Sequence, residues 1–428
     1  MFNSDEIQNL RQLLNANDLS SIELGLTLLQ TQEKATIKTF KEELFLVNQF
    51  APFLSPENNG QHLKSTTSKL IKYTLKGKAL KAFNSLLLTR RWIHDSDVTR
   101  HILEKIHNTC FNPIRFAKKL YYFDPKLGYS YLLQYGDEDT QYDLLKKHIN
   151  NNNLYLSSTN IHTIPKIIRR FKDIKSLVLS SMGLDKLPDE IAELKNLKIL
   201  HIDNNHFKEV PKILYQLPSL KVLKLGANSP LQKLPSELYK LYTLTMLDLS
   251  GTNNFLNKEE AIGKMLQLQI LNWRASPYSD YKKQKTFPIC LSSLPNLISL
   301  DLSNHLISSL PNEIANLQEL RNLYLTNNPI GQFPKPLMWM PKLKRLSITL
   351  GSGDEPTIIP PSIHQLSSLE TLSLENCYFA QAPTRLAMLT QLKQLEVKNL
   401  YYKERGRYLK LDSTFFEKLL PNCKVVER

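Results

Sequence analysis

The residues with the greatest chemical reactivity in this chain of 428 residues are its four cysteines and ten histidines. Cys110, Cys290, Cys377 and Cys423 are far apart, no Cys-x-x-Cys pair occurs, and no histidine lies at the spacing of a zinc site. Scattered thiols of this kind are typical of a reducing compartment. The pattern predicts reduced cysteines, and neither a metal nor a cofactor.

No sequence signature of catalysis is complete in this chain. Gly77-Lys78 lacks the upstream glycine of a phosphate-binding loop, and Ala79 stands where that loop needs Ser or Thr. No HExxH, GxSxG or protein-kinase signature occurs. The sequence therefore predicts a protein that is not an enzyme and has no catalytic residues.

The ends and the hydropathy of the chain bear on its location. No run of eighteen apolar residues occurs, so we expect no membrane span. The start, MFNSDEIQNLRQLL, has two acids before its first base and lacks the apolar stretch of a secretory signal. We expect a cytoplasmic monomer.

The elements that would position any functional side chain are set by a repeat. At the same place in a repeat, an apolar residue is followed by proline nine times, usually at intervals of 23 or 24 residues. The pairs are Ile164-Pro165, Leu187-Pro188, Val210-Pro211, Leu234-Pro235, Phe287-Pro288, Leu310-Pro311, Phe333-Pro334, Ile359-Pro360 and Ala382-Pro383. Self-similarity at such a period is the signature of a solenoid built from stacked units.

Each unit follows the pattern LxxLxLxxNxLxxLPxxIxxLxx, most clearly in LKILHIDNNHFKEVPKILYQLPS from Leu197. The xLxLx segment alternates apolar and polar residues, which predicts a strand with Leu200 and Ile202 inward and Ile199 and His201 outward. The later half, beginning with a helix-compatible proline, predicts a short helix or 3₁₀ turn on the convex side.

This pattern resembles the 23-residue repeats of SHOC-2-like, intracellular Ras-group leucine-rich repeat proteins, over about two thirds of the chain. The resemblance implies an α/β fold: a right-handed leucine-rich repeat solenoid, horseshoe-shaped, with a parallel concave sheet and about eleven repeats. An all-α helical domain precedes it. We predict this helical domain as an N-terminal cap at 1–148, repeats at 149–400 and a C-terminal cap at 401–428.

The ninth position of a unit normally holds a buried asparagine that binds backbone groups of the neighbouring turns. Here Asn205, Asn228 and Asn328 follow the rule, whereas other units carry residues such as His305 and Cys377. We therefore expect an incomplete asparagine ladder, with Cys377 in a structural role. For His305, as for His201, we expect a surface or turn position.

The outward side chains of the concave sheet are candidate binding residues. They occupy the fifth and seventh positions of each unit, and the middle units carry both charge signs and an aromatic residue. The predicted partner-binding residues are Tyr155, His201, Asp203, Lys224, Asp248, Asn272, Arg274, Asp301 and Tyr324. Such a mixture suits a protein or peptide better than a phosphate backbone, which would favour a stripe of one sign. The alternative is a polar face that only keeps the solenoid soluble.

Two units exceed the usual length, and insertions in solenoids form loops on one rim. The extra residues lie in SPYSDYKKQK (276–285) and GSGDEP (351–356). The first loop is the better candidate for binding because it carries Tyr278, Tyr281, Lys282 and Lys283. The alternative is a tolerated change of length.

Both ends of a solenoid need covering. At the C-terminus, LDSTFFEKLLPNCKVVER predicts a helix that starts at Asp412 or Ser413, followed by a short strand. At the N-terminus, apolar residues spaced three and four apart predict helices near 5–17 and 18–32, and further helices near 35–52, 64–88, 96–109, 112–122, 126–135 and 138–149. These pairs resemble HEAT-type repeats, with a helical bundle as the alternative.

The net charge of +15 favours acidic partners without choosing among them. Residues 62–119 hold 13 bases and three acids, so this segment could bind nucleic acid, or could be the solvated face of packed helices. The sequence favours a non-enzymatic scaffold or signalling protein that binds a protein partner on the concave face and rim loops. A nucleic-acid-binding protein that uses the basic helical domain is the alternative.

Overall fold

The structure is a computed structural model, and it describes residues 4–14, 19–30, 32, 40, 44, 47, 125–157, 161, 163–231, 234–252, 260–277 and 284–428. The chain divides into two compact units, one of residues 1–148 with 159–167 and one of residues 149–158 with 168–428. Of the helices expected between 33 and 124, only the single residues 40, 44 and 47 are described. The rim-loop residues Tyr278, Tyr281, Lys282 and Lys283 lie outside the described residues.

The first unit contains four described helices, α1 (Ser4–Leu14), α2 (Leu19–Gln30), α3 (Pro125–Tyr135) and α4 (Glu138–Lys146). Helix α1 packs on α2 with the predicted spacing: Leu10 and Leu14 are buried, as are Ile22, Leu26 and Leu29. Helix α4 begins at Asp137, whose side chain accepts a hydrogen bond from the Thr140 N–H at 2.8 Å. The helices predicted near 5–17, 18–32, 126–135 and 138–149 are confirmed, the last of them ending earlier, at Lys146.

The second unit is built on a sheet of thirteen strands, in sequence order apart from a small side sheet. All neighbouring strands are parallel except the first pair, which forms a hairpin. The strands are β1 (Ile149–Asn150), β2 (Asn153–Tyr155), β3 (Ser176–Val178), β4 (Ile199–His201), β5 (Val222–Lys224), β6 (Met246–Asp248), β7 (Ile270–Asn272), β8 (Ser299–Asp301), β9 (Asn322–Ile330), β10 (Arg345–Leu350), β11 (Thr371–Glu375), β13 (Gln394–Lys398) and β16 (Lys424–Glu427).

The core of this unit follows from the alternation within each strand. The fourth residue of every repeat pairs with the fourth residue of the next, as Leu200 does with Leu223, and every one of these leucines is buried. The sixth residues, such as Ile202 and Trp273, are buried on the same side. One repeat cannot cover this apolar face alone, so the repeats stack into a solenoid.

The far side of each repeat is a short turn of helix, as predicted. Most are 3₁₀ turns whose first residue follows a proline, as in Asp189–Glu193 after Pro188 and Lys212–Gln216 after Val210-Pro211. In one repeat the turn is the short helix α5 (Glu260–Gly263). The proline fixes an extended entry into the turn, and the apolar residue before it is buried in most repeats.

The ladder of asparagines is incomplete, as predicted, but a histidine reproduces its hydrogen bonds in one repeat. Asn228 Oδ1 accepts from the Phe207 N–H at 3.2 Å, and Asn228 Nδ2 donates to the Ile202 carbonyl at 3.0 Å. His305 is buried in the equivalent position of a later repeat, so the surface or turn position expected for it was wrong.

The imidazole of His305 contacts the same two kinds of group as the asparagine amide. Its Nδ1 lies 3.1 Å from the Gln284 N and its Nε2 lies 2.7 Å from the Trp273 carbonyl oxygen. A backbone N–H can only donate and a carbonyl oxygen can only accept, so the ring must carry its proton on Nε2. The neighbouring repeat therefore fixes the tautomer of His305.

The predicted C-terminal helix and final strand are confirmed. Asp412 accepts a hydrogen bond from the Phe415 N–H at 3.1 Å and starts helix α6 (Ser413–Leu419), which buries Phe416. Strand β16 then pairs with β13. Before them the chain forms a side sheet that the sequence reading missed, made of β12 (Tyr378–Phe379), β14 (Leu400–Glu404) and β15 (Arg407–Leu411).

Candidate functional site

The strand register brings the fifth residues of successive repeats side by side on the outward face of the sheet. Cα partners run across the strands in the order Tyr155, Val178, His201, Lys224, Asp248, Asn272, Asp301, Tyr324, Ser347, Ser373 and Glu396. Seven of the nine residues predicted to bind a partner thus form one column, and Asp203 and Arg274 lie two residues further along their chains. We call these nine residues the charged columns.

The backbone holds several of these side chains in place. Asp248 accepts from the Ser250 N–H and Asp301 from the Ser303 N–H, both at 2.8 Å. Asp203 accepts from the Ser180 hydroxyl at 2.8 Å. Because each carboxylate is fixed by its neighbours, less side-chain entropy is lost when a partner binds.

The positive groups of the charged columns lie beside these carboxylates without closing into ion pairs. Lys224 pairs in register with Asp248, and Arg274 follows Asn272 by two residues. Within the part of the chain that the structure describes, neither Lys224 nor Arg274 forms a salt bridge. Both signs of charge therefore remain available to a partner.

His201 lies half-buried in the same column. Burial and the positive charge of Lys224 lower the pKa of His201, while Asp203 and Asp248 act in the opposite direction. The ring is therefore mainly neutral at pH 7, and it presents one donor and one acceptor rather than a charge.

The third position of each repeat, which the sequence reading did not propose as a site, carries an outward apolar column. Ile199, Val222, Met246 and Ile270 pair in register on four consecutive strands. All four are partly or largely exposed, with 39% of Ile270 open to solvent. Reading the third position of every unit would have found this column, since the other third positions from Asn153 to Gln394 are polar.

The second position of three consecutive repeats carries an exposed lysine, Lys175, Lys198 or Lys221. The Lys198 N–H donates to the Lys175 carbonyl and the Lys221 N–H to the Lys198 carbonyl, both at 2.8 Å, so the three residues lie in neighbouring turns. We call them the lysine row. It borders the apolar column at the starts of β4 and β5.

The opposite side of the solenoid contains a cavity of about 720 Å³ near Tyr215, Glu209 and Glu237. Burial and the two carboxylates raise the pKa of Tyr215 to about 12, so its hydroxyl stays protonated at pH 7. Over the described ranges no cluster of His, Cys, Asp and Glu could hold a metal ion. Nor is any described helix long and apolar enough to cross a bilayer.

Parallel strands in sequence order, turns on the other side and a buried ladder at the ninth position define a leucine-rich repeat protein. A family model for the leucine-rich repeat region matches residues 154–306 and 291–422, and the chain belongs to this family. The family and the fold are generally non-enzymatic and typically mediate protein interactions.

Two relatives match parts of the chain. The flightless-1 homologue of Caenorhabditis elegans is 28% identical over 38% of this chain, and receptor-like protein 41 of Arabidopsis thaliana is 29% identical over 38%. The matches span only 13% and 18% of those proteins' own lengths.

Solved structures resemble the chain at lower identity. An internalin of Listeria monocytogenes is 18% identical, with 66% of this chain and 81% of that chain covered and a TM-score of 0.47. A leucine-rich repeat protein of Leptospira interrogans is 24% identical, with 62% and 81% covered and a TM-score of 0.38.

Proposed function

We propose that this protein is a scaffold that binds a protein partner through the charged columns on the outward face of its sheet. The observation that carries the proposal is the register, which sets Lys224, Asp248, Arg274 and Asp301 on adjacent strands as unpaired charges of both signs. A nucleic-acid backbone would require one sign. A protein surface with complementary charges matches this alternation.

The fixed carboxylates support the same proposal. Asp248 and Asp301 each use one oxygen to accept a hydrogen bond from the backbone N–H two residues later in the chain. A carboxylate can accept several hydrogen bonds, so the remaining lone pairs can accept from a partner without reorganisation. This is the geometry expected of a preorganised interface.

Capture from a nuclease-treated lysate of the native host tests the proposal. The full chain should retain a stoichiometric protein, and the triple variant Asp203→Lys, Asp248→Lys, Arg274→Glu should lose it while it still folds, with a melting temperature lowered only by the loss of the Asp203 and Asp248 hydrogen bonds. A matched control is Glu313→Lys, an exposed charge on the turn side. Equal capture by the triple variant would contradict the proposal.

Nuclease treatment also tests the alternative. If the captured material disappears with the nucleic acid, and capture falls steeply as salt rises, binding depends on phosphate charge rather than on the charged columns. The basic segment 62–119 would then be the place to mutate, although it lies outside the described residues.

A further inference from the structure

The apolar column and the lysine row together form a surface that is apolar in the middle and basic along one side. Ile199, Val222, Met246 and Ile270 cross the four strands β4 to β7, and the lysine row lies at the starts of β3, β4 and β5. Lys198 and Lys221 therefore flank the first two strands of the column, and Lys175 extends the row by one strand. On the other side lie the carboxylates of Asp203 and Asp248 among the charged columns. An apolar stripe between a basic row and a mixed row is an amphipathic docking surface.

The spacing of the column selects the secondary structure of its ligand. Neighbouring strands lie about 4.8 Å apart, so four strands span about 14 Å. An α-helix rises about 5.4 Å per turn, so residues three or four apart meet successive strands over about ten residues. An extended chain repeats its facing side chains about every 6.7 Å and loses register by the second contact.

The positive charge of the lysine row predicts acidic residues on the flank of the helix that faces it. Lys175, Lys198 and Lys221 are exposed, and no ion pair engages them among the described residues. Carboxylates on one flank of a helix would pair with Lys198 and Lys221 at the end that lies over β4 and β5, and with Lys175 where the helix continues over β3.

We propose that the apolar column binds an amphipathic α-helix of a protein partner, oriented across the strands, with acidic residues of that helix on the lysine row. This inference rests on the proposed function, which it deepens by naming the class of ligand and its orientation.

The test is a selection on the full-length protein from a displayed library of helical peptides of about four turns. Each peptide carries leucine at every third or fourth position, and its flanks vary among Glu, Lys and Ser. We expect enriched peptides with glutamate on one flank, bound about tenfold more weakly by Met246→Asp. The matched control Asn322→Asp changes the same position on β9, outside the apolar column, and should leave binding unchanged.

A second variant guards against loss of folding in Met246→Asp. Lys198 is exposed, so Lys198→Glu should fold normally while weakening the glutamate-flanked peptides and favouring lysine-flanked ones. No enrichment over the bare support, equal binding to Met246→Asp, or an unchanged flank preference in Lys198→Glu would overturn the inference.

The two proposals fail separately. If the triple variant of Asp203, Asp248 and Arg274 loses its captured protein while Met246→Asp retains it, the scaffold function stands and the helix inference falls. If the peptides bind as expected but the triple variant still captures its partner, the charged columns are not the contact surface.

Discussion

At the scale of single residues, the ninth position of the repeat accepts several chemistries because it needs only hydrogen bonds to neighbouring turns. Asn228 supplies them with an amide and His305 with an imidazole. Cys377 supplies a weaker contact, with its Sγ 3.7 Å from the Ile348 carbonyl oxygen. Burial raises the pKa of the Cys377 thiol to about 12, so it stays protonated and unreactive.

The ladder role of His305 predicts opposite results for two substitutions. His305→Leu removes the hydrogen bonds of the ring with the Gln284 N–H and the Trp273 carbonyl, and the loss of a buried hydrogen bond from one side costs about 1–3 kcal/mol. His305→Asn keeps an acceptor and a donor and should stay close to wild type. Denaturant unfolding measures both, and equal losses of stability would show that the side chain only fills space.

The environment of His201 predicts its titration. Since burial and Lys224 lower its pKa, the ring should titrate below 6.5 in an NMR pH series. Asp248→Asn removes a charge that raises the pKa and should move the midpoint further down, whereas Lys224→Ala should move it up. A midpoint at or above 6.5 would contradict this account.

The lowered pKa of His201 also predicts how the stability of the protein changes with pH. The unfolded chain binds a proton on His201 at a higher pH than the folded chain does. The folded state therefore becomes less stable relative to the unfolded state as the pH falls below about 6.5. His201→Gln should reduce that loss. Because the ring is only half-buried, the contribution is small.

At the scale of the element, neighbouring strands approach so closely that one outward position is restricted to glycine. A Cβ on Gly226 would lie 2.8 Å from both the carbonyl oxygen and the hydroxyl oxygen of Ser250. That carbonyl also accepts the Ala227 N–H, so it cannot retreat without losing a hydrogen bond between repeats. Gly226 lies between Asp203 and Ser250 at the seventh position of successive repeats, and the close approach of the strands explains the absence of a side chain there.

Gly226→Ala should destabilise the solenoid by about 1–3 kcal/mol, the usual cost of overpacking. Gly353→Ala is the control, because a Cβ there would meet nothing within 4 Å. The midpoint of denaturant unfolding measures the difference. Equal stability of the two variants would mean that Ser250 can move aside at little cost.

The two inserted loops, 276–285 and 351–356, are candidates for contacts with a partner. The second is already engaged: the Tyr408 hydroxyl of β15 donates to the Gly353 carbonyl at 2.7 Å, and Tyr408 packs edge-on against Tyr378. The side sheet therefore holds this loop in place. The first loop, with Tyr278, Tyr281, Lys282 and Lys283, stays a prediction.

At the scale of the whole molecule, each repeat contacts mainly its neighbours, so stability depends on how the last repeats are covered. Helix α6 lies against the turn Thr384–Met388, and β16 pairs with β13. Phe416 is buried while Phe415, the preceding residue in the sequence, is only partly covered. The two rings provide a matched pair.

Phe416→Ala should cost about 3–5 kcal/mol, and Phe415→Ala clearly less. Loss of the cap should also expose the edge of β13 and promote association, because unpaired strand edges recruit other strands. Thermal unfolding with light scattering measures both effects. Equal destabilisation by the two variants would show that α6 does not cover the core as a cap.

The repeat period by itself determined the architecture, because spacing every 23 or 24 residues fixes which side chains stack. From Leu200 and Ile202 inward to His201 outward, the assignment of faces followed from alternation alone. The charged columns could be written down from the sequence for the same reason. Local pattern and global fold agree wherever one repeat meets the next.

Only the tertiary structure decided what depends on contacts between repeats. His305 is buried because a backbone N–H and a carbonyl of earlier turns converge on its ring, and neither is visible in its own repeat. The side sheet joins Tyr378 to Tyr401 across a full repeat. The apolar column became a surface only when four strands brought Ile199, Val222, Met246 and Ile270 together, since each residue alone is an ordinary exposed apolar side chain.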